Sequence, residues 1–225
     1  MQPFTAAVPK VLLPIDGIPV IELLITELRQ QGIRDFTVVT SHLAEMVQES
    51  LGSGERLGVR IRHIHESQPL DTAGCLGQLN PAPGPFLLVN ADIVTDFRFM
   101  DLLRFHRRLR AMATVAVCRH QVDVDFGVVD FDAEGRMSNY REKAACDFMV
   151  SMGIYCLEAE VCRLVARGKR LSMPQLLLLL QDSGQIVGCH RQDCYWRDIG
   201  RPEDYARANE EFAGLSQHVR LLRAA

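Results

Sequence analysis

The sequence predicts an α/β fold: a mostly parallel β-sheet covered by helices on both faces, with a β-hairpin walling one side of a ligand site. Three observations predict it. Short β-branched or apolar runs interleave with segments of helical periodicity along the first half of the chain. A chain of 225 residues, 48% hydrophobic and 24% charged, can bury one sizeable core and reads as a single domain over 1–225. Carboxylates also follow apolar runs directly, at the edge where parallel sheets bind ligands.

Element by element, residues 19–31 carry Ile21, Leu23, Leu24 and Leu28 at helical spacing, and Gly32 supplies the stop. Residues 35–40 (DFTVVT) read as a buried strand, after which Ser41 can cap a helix over 42–51. Residues 59–65 alternate apolar and basic side chains as a strand, the 81–85 PAPGP stretch is a rigid loop, and 86–90 is a second compact apolar strand. Residues 99–109 form a helix with an arginine-rich outer face. Residues 127–132 and 137–142 flank Gly135 as a hairpin. A strand over 150–157, helices over 159–166 and 173–181, a strand over 185–189 and a helix over 202–212 with Pro202 at its start complete the expected order.

Composition excludes several classes. Twenty-five basic against twenty-eight acidic residues leave a net charge of −3, which gives no electrostatic reason for a nucleic-acid or membrane partner. The longest apolar run, 176–180, is far short of the ~20 residues that span a bilayer, and the expected location is the cytoplasm. The seven cysteines include no C-x-x-C pair and read as reduced core thiols. Neither Cys189, His190 and Cys194 nor His63 and His65 have zinc-site spacing. Self-association into a homo-oligomer is compatible with the sequence.

Four residues carry the candidate chemistry. Asp92 follows the 86–90 strand, and Asp198 lies between a strand and a helix ahead of Gly200; a hard cation such as Mg²⁺ suits two such carboxylates. Lys10, held beside Pro9, and Lys143, at the hairpin exit, can each present a charge to a phosphate. Taken singly, each has an ordinary reading, as a loop-capping aspartate or a surface lysine.

Together these segments resemble the sugar-1-phosphate nucleotidylyltransferases, the family that includes mannose-1-phosphate guanylyltransferase. Pro3-Phe4-Thr5 followed by residues 8–14 (VPKVLLP) is similar to the family's P-L-T…P-K-P-L-L-P. Residues 66–74 (ESQPLDTAG) are similar to E-x-x-P-L-G-T-A-G, and Asn90-Ala91-Asp92 to N-[GA]-D. Residues 126–129 (FGVV) are similar to Y-G-V-V, Glu142-Lys143 to the start of E-K-P, and residues 196–204 (WRDIGRPED) to W-x-D-I-G-x-P-E-D.

The resemblance implies a Rossmann-like fold of the nucleotide-diphospho-sugar transferase type. It implies a reaction between a nucleoside triphosphate and a sugar-1-phosphate that gives a nucleotide sugar and pyrophosphate. Asp92 and Asp198 would hold Mg²⁺, and Lys10 and Lys143 would neutralise phosphate oxygens. Glu66, Pro69, Thr72, Ala73, Gly74 and Asn90 would bind the nucleotide; Gly127, Glu142, Ser151 and Gly153 would bind the sugar. The acceptor-only carboxylate of Glu66 suits the N1–H and N2–H₂ donors of guanine, which favours GTP with a mannose- or heptose-type sugar.

The chain also departs from the pattern. Asp71 stands where glycine is usual, Ala144 where proline is usual, and Ser151 where asparagine is common. The family's first strand and its G-G-x-G-T-R phosphate loop would come before Met1. The expectation is therefore a sequence begun at an internal methionine, about 15–25 residues late, and impaired as it stands. The alternative is a non-catalytic paralogue that binds nucleotide sugars as a sensor or regulatory subunit.

Overall fold

The computed structural model describes residues 8–143 and 145–223, with 213–223 described by their backbone alone. The chain opens with a 3-10 turn at Lys10–Leu12 and a tight ribbon of β1 (Pro14–Ile15) and β2 (Ile18–Pro19), then enters α1 (Val20–Gln30). The apolar face of α1 is buried from Val20 to Leu28, and Gly32, at φ +94°, stops the helix where glycine alone adopts that angle cheaply. β3 (Asp35–Thr40) and β4 (Arg60–His65) flank α2 (Ala44–Leu51) and pair in parallel, which makes a right-sized βαβ unit.

The larger sheet has the order β11–β7–β10–β5, formed by β5 (Pro85–Val89), β7 (Ala113–Asp123), β10 (Ala145–Glu158) and β11 (Val187–Arg191). β5, β7 and β11 run one way and β10 runs against them. The sheet is thus mixed, because β10 returns beside β7 after the hairpin of β8 (Val128–Phe131) and β9 (Met137–Arg141). Helix α4 (Phe99–Leu109) packs one face through Phe99, Leu102 and Leu103 against Ala116, Met152 and Ile154. On the other face, α5 (Val161–Leu164) and α6 (Met173–Asp182) bury Val161, Met173, Leu176 and Leu180 against Val115 and Leu157. Each such fully buried side chain contributes about 1.5–3 kcal/mol.

The α/β class, the central sheet and its helices match the sequence reading. Some boundaries do not. Ser41 caps nothing: Leu43, at φ +53°, precedes Ala44 and moves the helix start beyond the reach of the Ser41 hydroxyl. Of the helix expected over 159–166 only Val161–Leu164 forms, and β10 begins at Ala145 instead of 150. Among the described residues no helix is long and apolar enough to cross a membrane.

β3 pairs with β4 and β5 with β10, and their other edges face an elongated cavity of about 840 Å³. Ile21, Leu24, Ile25 and Leu28 of α1 and Leu103 of α4 line it too. The open slot leaves Phe36, Val38 and the whole of β5 half-buried, although their apolar composition reads as that of interior strands.

Candidate active site

β5 ends at Val89, and the chain is then fixed by backbone pairing. The Asn90 amide donates to the Gly153 carbonyl at 2.8 Å. The register between β10 and β7 slips between Ser151 and Tyr155, which puts Gly153 at φ +71° beneath Asn90. A Cβ on Gly153 would come within 2.6 Å of Asn90 Nδ2, so the close approach requires glycine. Ser151 Oγ sits 3.1 Å from the Tyr155 hydroxyl and 3.4 Å from the Gly153 amide. Asn90, Ser151 and Gly153 are therefore brought together.

Two residues on, β6 (Ile93–Thr95) pairs antiparallel with β12 (Trp196–Asp198), opposing Ile93 to Asp198. The indole N–H of Trp196 donates to the Met152 carbonyl at 2.8 Å and ties β12 to β10. Lys10, on its 3-10 turn, extends Nζ to 2.6 Å from Asp92 Oδ2 and 3.7 Å from Asp198 Oδ1. The two carboxylate oxygens are thus no farther apart than the sum of these distances. Gly200 keeps the backbone clear, because a Cβ there would lie 3.1 Å from Asp198 Oδ1 and 3.8 Å from Lys10 Nζ. Burial, and next the charge of Asp92, push the Asp198 carboxyl above its ordinary range, while Lys10 opposes them.

This donor set fits a hard divalent cation. The two aspartates already share one positive charge, that of the Lys10 ammonium. Phosphate oxygens and water would complete the coordination of an ion that keeps several non-protein ligands.

Glu66 follows β4, its amide bonded to the Thr40 carbonyl at 2.8 Å, and it is 8% exposed. Its Oε2 accepts from the Leu70 amide at 3.3 Å, whereas Oε1 is buried with no hydrogen-bond partner and lines the slot. Thr72, also on the slot wall, accepts from the Met173 amide at 2.8 Å. Ala73 and Gly74, in the short helix α3 (Asp71–Gly74), give both amides to the Leu171 carbonyl at 2.9 and 3.0 Å. Gly74 is glycine because a Cβ would strike Leu70 and the Lys169 carbonyl, so its small size serves this packing. Pro69 is exposed and does not line the slot. Asp71 adopts φ +69°, which explains why glycine is usual there; its side chain accepts from the Thr72 amide at 2.8 Å and meets Arg170 at 3.5 Å. The loop 169–171, which supports α3, is a contribution that sequence reasoning missed.

The hairpin residues stand apart. Glu142 accepts from the Tyr140 hydroxyl at 3.1 Å, and Tyr140 covers Gly127, where a Cβ would run into its ring. Glu142 and Lys143 are exposed, and among the described residues neither bonds to the Lys10–Asp92–Asp198 cluster. Pro3-Phe4-Thr5 and Ala144 lie outside the described residues.

Over residues 1–214 the sequence matches the nucleotidyl transferase family. The chain belongs to that family. Among proteins similar to this chain is mannose-1-phosphate guanyltransferase beta-B of Xenopus laevis, 28% identical over 213 residues, covering 91% of this chain and 59% of that protein. Mannose-1-phosphate guanylyltransferase of Mycobacterium tuberculosis is 28% identical over 219 residues (94% and 60%). UTP–glucose-1-phosphate uridylyltransferase of Synechocystis is 30% identical over 228 residues (92% and 59%). The chain thus spans about three fifths of the length of these relatives. The fold is shared with HddC from Yersinia pseudotuberculosis, at TM-score 0.72 and 23% identity over 91% of this chain and 90% of that one. It is also shared with a Bacillus anthracis protein named as a putative glucose-1-phosphate thymidylyltransferase, at TM-score 0.75 and 21% identity over 93% of this chain and 89% of that one.

Proposed function

We propose that this nucleotidyl transferase joins a nucleoside triphosphate to a sugar-1-phosphate. An oxygen of the sugar phosphate attacks the α-phosphorus, the bond from that phosphorus to the bridging oxygen breaks, and pyrophosphate leaves with the electron pair. The observation that carries this reading is the single ammonium of Lys10 shared by Asp92 and Asp198 just beyond β5. A Mg²⁺ bound by the two aspartates would neutralise phosphate charge. Lys10 would draw in a phosphate oxygen, and the antiparallel pairing of β6 with β12 would hold both carboxylates in place, so that catalysis is mainly alignment and charge stabilisation. Lys143 would add a second positive charge, and Glu142 with Gly127, Ser151 and Gly153 would meet sugar hydroxyls. The names of the relatives support the reaction class.

GTP is the favoured nucleotide. The unpartnered Oε1 of Glu66 calls for a donor, and guanine offers N1–H and N2–H₂ along one edge. Relatives named for mannose-1-phosphate agree with a mannose- or heptose-type sugar. Cytoplasmic action on soluble substrates is part of the same reading.

Among the described residues, the slot between β3 and β5 has the unpaired edges and apolar lining that one more strand would use. We read it as the seat of the strand expected upstream of Met1, whose phosphate loop would come down beside Lys10. Without that loop the rate would fall at least ~10²–10³-fold, the loss for one preorganised donor. The test is pyrophosphate release from the protein as given and from its upstream-extended form, across four triphosphates and a panel of sugar-1-phosphates. Release from the extended form with GTP supports the reading. Tight nucleotide-sugar binding without release from either form replaces it with the sensor alternative.

A further inference from the structure

We propose that Lys10 is the resident counter-ion of the cation site, and that a divalent ion gains both aspartates only when a phosphate draws the lysine away. The inference rests on the nucleotidyl-transfer reading above. The ammonium holds Asp92 Oδ2 at 2.6 Å and stands 3.7 Å from Asp198 Oδ1, so it engages the same two oxygens that would ligate the metal. A divalent ion and an ammonium cannot share that pair at contact distance without strong repulsion.

Lysine suits a counter-ion that must leave. Its charge sits on a flexible four-carbon stem, whereas a guanidinium would lock onto a carboxylate with two parallel bonds. The backbone end of the stem is fixed by Pro9, at φ −54°, and the 3-10 turn of Lys10–Leu12, so movement is confined to the side chain. Gly200 leaves space beside Nζ, since even a methyl there would sit 3.8 Å away. The cluster is also partly open, with Lys10 and Asp92 side chains 25% and 27% exposed, so a phosphate can reach the ammonium from solvent. The metal-free protein therefore carries its own plug, and the cation arrives with the triphosphate instead of ahead of it.

The experiment measures Mn²⁺ binding to the full chain by electron paramagnetic resonance, with no nucleotide present. Lys10→Met should bind Mn²⁺ at least about tenfold more tightly than the parent, as removal of a nearby like charge requires. Lys10→Arg should stay as weak as the parent, and adding Asp92→Asn to Lys10→Met should erase the gain. Equal Mn²⁺ affinity in Lys10→Met and the parent overturns the proposal; should Lys10→Met not fold, Lys10→Gln makes the same comparison. Pyrophosphate release by the parent sequence, in both its given and its upstream-extended form, scores the reaction separately. Release from either form without the Mn²⁺ gain rejects the lysine proposal alone, and the gain without release from both forms supports it while rejecting the reaction.

Discussion

The carbonyl of Asp92 accepts the amide proton of Ile199 at 3.0 Å, one backbone bond that joins the exit of β5 to the residue after Asp198. Both carboxylates are therefore placed by main-chain geometry, and their side chains can change without moving the strands.

Asp92→Asn and Asp198→Asn should each lower pyrophosphate release by the extended protein about 10²–10³-fold. Both variants should keep the parent's far-ultraviolet circular dichroism.

Asp198→Asn should also raise the melting temperature of the metal-free protein at pH 7. The Asp198 carboxyl is raised above its ordinary value of 3.8, chiefly by burial, so its charged form opposes folding. That penalty is absent below the unfolded value and enters as pH rises through the folded one. The variant's gain should thus vanish near pH 3 in melts with EDTA.

Gly153→Ala should destabilise the fold by about 1–3 kcal/mol in urea titrations. The residue sits at φ +71°, and its new Cβ would press on Asn90 at 2.6 Å.

Glu66→Gln should weaken the proposed preference for GTP over the other triphosphates about tenfold or more, at about 1–3 kcal/mol for a misplaced buried partner. The ratio of kcat/KM values is the measurement, and an unchanged ratio would remove Glu66 from the base site.

His106 is wholly buried, with Nδ1 2.8 Å from Thr114 Oγ1 and Nε2 3.3 Å from Glu158 Oε1. Burial lowers its pKa below 6.5 despite the Glu158 carboxylate. The stability it contributes is complete above pH 6.5 and is lost as pH falls through the lower folded value. Urea midpoints should therefore drop as pH falls below 6.5, and His106→Gln should flatten that slope.

Much of the fold was legible because local chemistry decided it. Gly32 ends α1, Gly135 at φ +81° turns the β8–β9 hairpin, and Asp92 follows an apolar strand. β7 was not legible: its first half is apolar and buried, its second half polar and exposed, so no single periodicity spans it. β6 and β12 are three residues each, too short for a pattern, yet their pairing creates the site. The meeting of Lys10 with Asp92 spans 82 positions and leaves no local trace. The half-burial of β3 and β5 was likewise hidden, because it depends on the cavity that both strands line.

That gap has a cost outside catalysis. Among the described residues no strand pairs with the second edges of β3 and β5, and their main-chain amides and carbonyls, set among valines, leucines and isoleucines, can pair with an extended segment they meet. Such edges favour association between copies of the chain, so sedimentation of the purified protein at rising concentration should show self-association that a charged side chain on either edge suppresses.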